Sequence, residues 1–77
     1  MSSDVLSLLA TEVGARLKAR GERLVTAESC TGGWVAQAVT SVSGSSEWFE
    51  RGFVVYSNEA KRELLGVAEG TLLRDGA

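Results

Sequence analysis

An α/β layered domain, running helix, strand, helix, strand, helix, is the fold this chain predicts. Leu6, Leu9, Val13 and Leu17 recur at helical spacing, and Val35, Ala38, Val39 and Val42 repeat the pattern at i, i+3, i+4, i+7. Between and after them lie two short apolar runs, Leu24 to Ala27 and Phe53 to Tyr56, which suit buried strands.

Ser2 or Ser3 can cap a first helix from Asp4 to Arg20. It has an acid in its first turn, Lys18 and Arg20 in its last, and Gly21 as a left-handed stop, while Val5 flanks its apolar stripe. β-Branched Val25 and Thr26 mark the first strand. A second helix is expected from Thr31 to about Val42, ended by Ser43-Gly44-Ser45-Ser46, a break too short for an interdomain linker. Glu47 to Glu50 can form one helical turn that places Trp48 and Phe49 on the core. After the second strand, Asn58 is expected to cap a third helix from Glu59 to Leu65, stopped by Gly66, and Thr71 to cap a last turn ending at Gly76. Two strands are few for three amphipathic helices, because such sheets commonly have about 4–6. The pattern therefore reads as the first part of a larger α/β domain.

Composition narrows the functional classes. Seventy-seven residues allow one domain, and a chain this short buries only about 60% of its unfolded surface. A hydrophobic content of 44% excludes disorder, and a net charge of −2 offers no general attraction for nucleic acid or an anionic membrane. No apolar run approaches the roughly 20 residues of a spanning helix. The N-terminus also lacks the basic segment and long apolar core of a signal peptide. The single Cys30 cannot form an internal disulfide, which fits a reducing cytoplasm, the expected location. With one cysteine and no histidine, the usual zinc sites cannot be assembled within one chain, and no cofactor is expected.

Chemistry concentrates in Thr26-Ala27-Glu28-Ser29-Cys30-Thr31-Gly32-Gly33, where a strand gives way to a helix. A serine there stands near backbone N–H groups that favour a phosphate or the oxyanion of acyl transfer. Ser29 or Thr31 acting simply as a helix cap explains the same residues. The segment is neither a Walker loop nor a Gly-x-Ser-x-Gly elbow. With no histidine, a nucleophilic serine needs another base, and Tyr56 and Lys61 are the candidates. Lys61 falls in the first turn of the third helix, where the dipole disfavours an ammonium. Desolvation disfavours charge as well, and a neutral amine can take a proton from serine or tyrosine. An ordinary solvated helical lysine is the plainer alternative. Tyr56 ends a strand five residues before Lys61, so the turn between them can bring their polar tips together. Ser29 and Tyr56 both follow strands; if those strands are parallel neighbours, both open onto the sheet edge where α/β domains bind ligands. Cys30 reads as a small structural cysteine before it reads as a nucleophile. Glu28 is expected to be structural, with orientation of the lysine as its alternative, and Trp34 and Trp48 to pack in the core.

Three ordered blocks resemble the CinA C-terminal domain family, the nicotinamide-nucleotide amidohydrolases. They are the segment above, Gly44-Ser45-Ser46-Glu47-Trp48-Phe49-Glu50-Arg51-Gly52-Phe53, and Tyr56-Ser57-Asn58-Glu59-Ala60-Lys61. The resemblance runs from near Val5 to Ala77. Members of that family are considerably longer, with further strands and a glycine-rich substrate segment, so the chain is expected to be the first half of the family domain. Related chains joined to a larger N-terminal domain carry the competence or damage-inducible name.

The resemblance implies deamidation of nicotinamide mononucleotide to nicotinate mononucleotide and ammonia, within pyridine nucleotide salvage. It makes Ser29 the nucleophile, Lys61 and Tyr56 the base and proton-relay pair, and Cys30, Thr31, Gly32 and Gly33 the backbone donors for oxyanion or phosphate. The expected partner is a small nucleotide substrate, with no nucleic acid and no membrane. A homo-oligomer is expected because helix faces and strand edges are left uncovered. A non-catalytic, anion-binding relative and a self-associating module are the rival readings.

Overall fold

In the computed structural model, residues 3–76 are described. They form helix α1 (Ser3–Arg20), strand β1 (Leu24–Glu28), helix α2 (Trp34–Thr40), strand β2 (Phe49–Val54), helix α3 (Asn58–Leu65) and helix α4 (Glu69–Asp75). A 3₁₀ turn, Ser45–Glu47, precedes β2. The two strands pair in parallel, with Val25 opposite Arg51, Thr26 opposite Gly52 and Glu28 opposite Val54. The fold is therefore the α/β alternation expected.

Several boundaries moved, each for a local reason. Of the two serines expected to cap α1, Ser2 lies outside the described residues and Ser3 is the first residue of the helix. β1 runs one residue further than its apolar run, to Glu28. α2 starts at Trp34 rather than Thr31 because Gly32 and Gly33 adopt φ of +62° and +100°, which a right-handed helix cannot contain. β2 begins at Phe49 and ends at Val54, not Phe53 to Tyr56. Its polar Glu50-Arg51-Gly52 stretch hid it, yet the Glu50 and Arg51 side chains are exposed, and Glu50 pairs with Arg51 at 2.7 Å and Arg23 at 3.6 Å. The turn expected at Glu47 to Glu50 is the 3₁₀ turn Ser45–Glu47, which starts two residues earlier. It still sets Trp48 in the core at 4% exposure, with Phe49 packed alongside.

The cap of α3 is Ser57, not Asn58: its extended backbone lets its hydroxyl accept from the Ala60 N–H at 3.0 Å. Gly66 closes that helix in the left-handed conformation, as expected. Thr71 caps nothing; it lies inside α4, which Ala68 precedes without a side-chain cap.

The core sits between α1, α2 and the start of β2, built on Ala10, Val39 and Trp48 with Leu17, Leu24, Val42 and Phe49 around it. The best-buried positions of α1 are small, Ala10 and Gly14, because the Trp48 indole lies against them. A methyl at Gly14 would stand 2.5 Å from two Trp48 ring atoms. Consequently the leucine and valine stripe is only half used, and Leu9 and Val13 remain 49% and 41% exposed.

The fold is thin. Its extents are 39 × 29 × 16 Å and its radius of gyration is 14.6 Å, against about 11–12 Å for a compact chain of this length. The accessible surface is 5475 Å², where a compact 8.1 kDa monomer has about 4500 Å². Sheets of parallel strands normally have both faces covered, but Val25 on the face away from α2 is half exposed. Among the described residues no helix is long and apolar enough to cross a membrane.

Candidate active site at the carboxyl edge of the sheet

β1 and β2 end side by side, with Glu28 opposite Val54. One residue later the Val55 N–H donates to the Glu28 carbonyl at 2.8 Å. Because the pairing is parallel, the loop starting at Ser29 and the segment carrying Tyr56 leave the same edge, the condition on which their association depended.

Ser29 is half-buried at the head of a five-residue turn to Gly33. The Gly32 N–H donates to the Ser29 carbonyl at 3.0 Å and the Trp34 N–H to the Thr31 carbonyl at 3.1 Å. Gly33 also lies close to β2, since a methyl on it would stand 3.3 Å from Val54 Cγ2. Gly32 has nothing within 4 Å, so only its conformation calls for glycine.

Glu28 proves to be the best-connected side chain of this region. It is 6% exposed, and it accepts from Thr31 Oγ1 at 2.8 Å, the Val35 N–H at 2.7 Å and the Ala36 N–H at 3.0 Å. Burial works to raise its pKa. Hydrogen bonds from the backbone of Ala36 and Val35, the Thr31 hydroxyl and the backbone of Gly33 outweigh that, holding the carboxyl below its ordinary 4.5. Glu28 thus serves as the anion at the N-terminus of α2, a structural role, and among the described residues it makes no ion pair with the lysine. A carboxylate just ahead of a Gly-Gly turn into a helix was the available signal.

The backbone donors divide accordingly. Those of Val35 and Ala36 go to Glu28 and that of Gly32 to Ser29. Among the described residues, the N–H groups of exposed Cys30 and of Thr31 donate to no protein acceptor, so these two point to where an anion could be held.

Lys61 is buried, at 8% exposure, rather than solvated on its helix. It lies in the first turn of α3, its N–H bonded to the Ser57 carbonyl at 3.1 Å, and it makes no ion pair among the described residues. Tyr56 lies two residues past β2 and is 71% exposed. No hydrogen bond joins the side chains of Ser29, Tyr56 and Lys61 among the described residues; what the fold supplies is their shared edge. Trp34 does not pack in the core as expected. As the first residue of α2 it is 58% exposed and borders an apolar groove of about 360 Å³ with Leu6, Leu9, Val13 and Val35. No cluster of three or more His, Cys, Asp or Glu side chains stands ready for a metal ion among the described residues.

The arrangement is that of an α/β domain with its polar turns gathered at the carboxyl edge of parallel strands. The chain belongs to the CinA C-terminal domain family, which matches residues 6–77. It is 58% identical over 77 residues to the nicotinamide-nucleotide amidohydrolase PncC of Escherichia coli (strain K12), covering 100% of this chain and 47% of that protein. Identity to the nicotinamide-nucleotide amidohydrolase PncC of Pseudomonas putida is 52% over 66 residues, covering 86% and 41%. Among solved structures, the competence/damage inducible protein CihA from Agrobacterium tumefaciens superposes with a TM-score of 0.90 at 46% identity, over 94% of this chain and 44% of that one. The competence damage-inducible protein A from Klebsiella pneumoniae gives 0.91 at 43%, over 94% and 45%. The chain spans about half the length of the curated relatives it matches.

Proposed function

We propose that this chain carries the nucleophile-bearing part of an amide hydrolase that converts nicotinamide mononucleotide to nicotinate mononucleotide and ammonia in the cytoplasm. The observation that carries the reading is the parallel pairing of β1 and β2, which delivers Ser29 and Tyr56 to one edge with buried Lys61 in the next helix. The relatives' names, nicotinamide-nucleotide amidohydrolase, supply the reaction.

In this mechanism Ser29 Oγ attacks the carboxamide carbon while its proton passes to Lys61 Nζ, directly or through Tyr56 Oη. The N–H groups of Cys30 and Thr31, held by the Gly32-Gly33 turn, face the developing oxyanion. Collapse breaks the C–N bond, and ammonia leaves with the proton returned by the lysine. Water then attacks the ester by the same route, releasing the carboxylate and restoring Ser29. The test is ammonia release from nicotinamide mononucleotide, in the chain and in a full-length relative. Ser29→Ala, also placed at the aligned serine of that relative, should abolish it. Turnover that survives this change and disappears on replacing Cys30 would transfer the nucleophile to the thiol.

The excess surface favours a second property, self-association. The chain exposes about 1000 Å² more than a compact monomer of its mass, compared with the roughly 800 Å² that each partner buries in a standard interface.

A further inference from the structure

We propose that Glu28 is a positioning residue that sets the place of the Ser29 loop relative to the segment bearing Tyr56 and Lys61. The inference rests on the reading of Ser29 as nucleophile, but its geometry stands apart from any chemistry. The two halves of the site follow different strands and, among the described residues, share no side-chain hydrogen bond, so their relative placement rests on other contacts.

Glu28 touches both. Its carboxylate takes one bond from the middle of the loop, Thr31 Oγ1, and two from the first turn of α2, Val35 N–H and Ala36 N–H. The loop that starts at Ser29 is thereby pinned, at its middle and just past its far end, to the residue preceding it. The Glu28 carbonyl meanwhile accepts the Val55 N–H at 2.8 Å, immediately before Tyr56. One residue anchors the nucleophile loop by its side chain and the tyrosine segment by its main chain.

The chemistry requires a carboxylate. The Thr31 hydroxyl could turn to accept, but two backbone N–H groups can only donate, one to each carboxylate oxygen. An amide at this position offers one acceptor oxygen and one NH₂. Whichever way it is flipped, an N–H faces an N–H. Glu28→Gln therefore keeps shape and burial while breaking the clamp.

The experiment is two-dimensional NMR with amide exchange on the full chain, comparing the parent, Glu28→Gln and Thr31→Val. In the parent, a Gly33 α-proton should contact the Val54 methyl, and Gly14 should contact the Trp48 indole, as their spacing requires. Glu28→Gln should lose the Gly33–Val54 contact and speed exchange at Val35 and Ala36 by about tenfold or more, with the Gly14–Trp48 contact kept. Thr31→Val removes only the bond from the loop. It should move the signals of Ser29, Cys30 and Gly32 while the Val35 and Ala36 amides stay protected, which keeps the proposal testable if Glu28→Gln does not fold.

Persistence of the Gly33–Val54 contact and unchanged exchange in a folded Glu28→Gln would overturn the proposal. So would loop signals unmoved by Thr31→Val. These readouts involve no substrate, so an inactive chain leaves them intact, and a wrong nucleophile shows up in the Ser29→Ala assay instead.

Discussion

Gly52→Ala tests how tightly the layer beneath the site is packed. Gly52 lies opposite Thr26 in the strand ladder, two pairs below the position where Glu28 meets Val54. A methyl there would stand 2.5 Å from Thr26 Oγ1, with Ala36 Cβ at 3.4 Å and Phe49 Cζ at 3.5 Å closing its other sides. Alanine gains about 0.5–1 kcal/mol of backbone entropy over glycine within a strand. Overpacking against a β-branched neighbour that is stiff at χ1 costs about 1–3 kcal/mol. The clash wins, leaving a net loss of about 0.5–2 kcal/mol, and about 1 kcal/mol lowers the Tm of so small a domain by about 4–8 °C. Thr26 supplies the control, because its buried hydroxyl has no partner among the described residues. In a Thr26→Ala background the obstruction is absent, and Gly52→Ala should become neutral or mildly stabilising. Urea unfolding of the four chains of this cycle measures the coupling, expected at about 1–2 kcal/mol. An equal loss in both backgrounds would show that the Thr26–Gly52 contact is not what selects glycine.

Acid should loosen the Ser29 turn before the core. The Glu28 carboxyl is held below its ordinary 4.5, so its contribution is fully present above that value and is lost as pH falls through the lower folded pKa. Its bonded partners are Thr31 and backbone groups, with no ionisable side chain among them. In urea unfolding the stability gap between the parent and Glu28→Gln should shrink as pH drops below about 4.5; a gap that stays constant counts against the clamp. Lys61→Arg should remove turnover, because arginine stays protonated and cannot act as base. Substantial ammonia release by that variant, in the chain or at the aligned lysine of a full-length relative, would exclude the lysine. In light scattering the chain should run as a dimer or larger at tens of micromolar concentration, and hydrolysis by it should be weak against a full-length relative. A cooperative monomer with matching turnover would contradict both expectations.

The helices were legible because their signals are local, apolar spacing with Gly21 and Gly66 as stops, although the cap of α3 was read one residue late, at Asn58 instead of Ser57. The strands were harder. β2 carries Glu50 and Arg51, whose exposed side chains pair with each other, so its run reads as polar, and the ladder skips Glu50, passing from Leu24 opposite Phe49 to Val25 opposite Arg51. The apolar stripe of α1 misled in the other direction. Burial on that helix follows Ala10 and Gly14, since a large indole needs small residues beneath it, and spacing alone does not reveal which neighbour a face will meet.

The candidate site shows the same division between local and long-range information. Ser29, Tyr56 and Lys61 could be named from the sequence, but their common location depended on whether two strands separated by a helix run parallel. Parallel pairing across a helical crossover is the usual outcome for such a unit, and here it makes the segments after both strands emerge together. The burial of Lys61 was not legible, because Asn58 and Glu59, which open the same turn of α3, are polar and exposed. Glu28 was expected to be structural, but the bonds through which it acts were hidden for a related reason. A glutamate at a strand end looks solvated until the loop after it folds back, and that return depends on two glycines at positive φ. Once they turn the chain, the carboxylate lies under the first amides of α2, and burial that would otherwise oppose its charge becomes the means of fixing the loop that carries the serine.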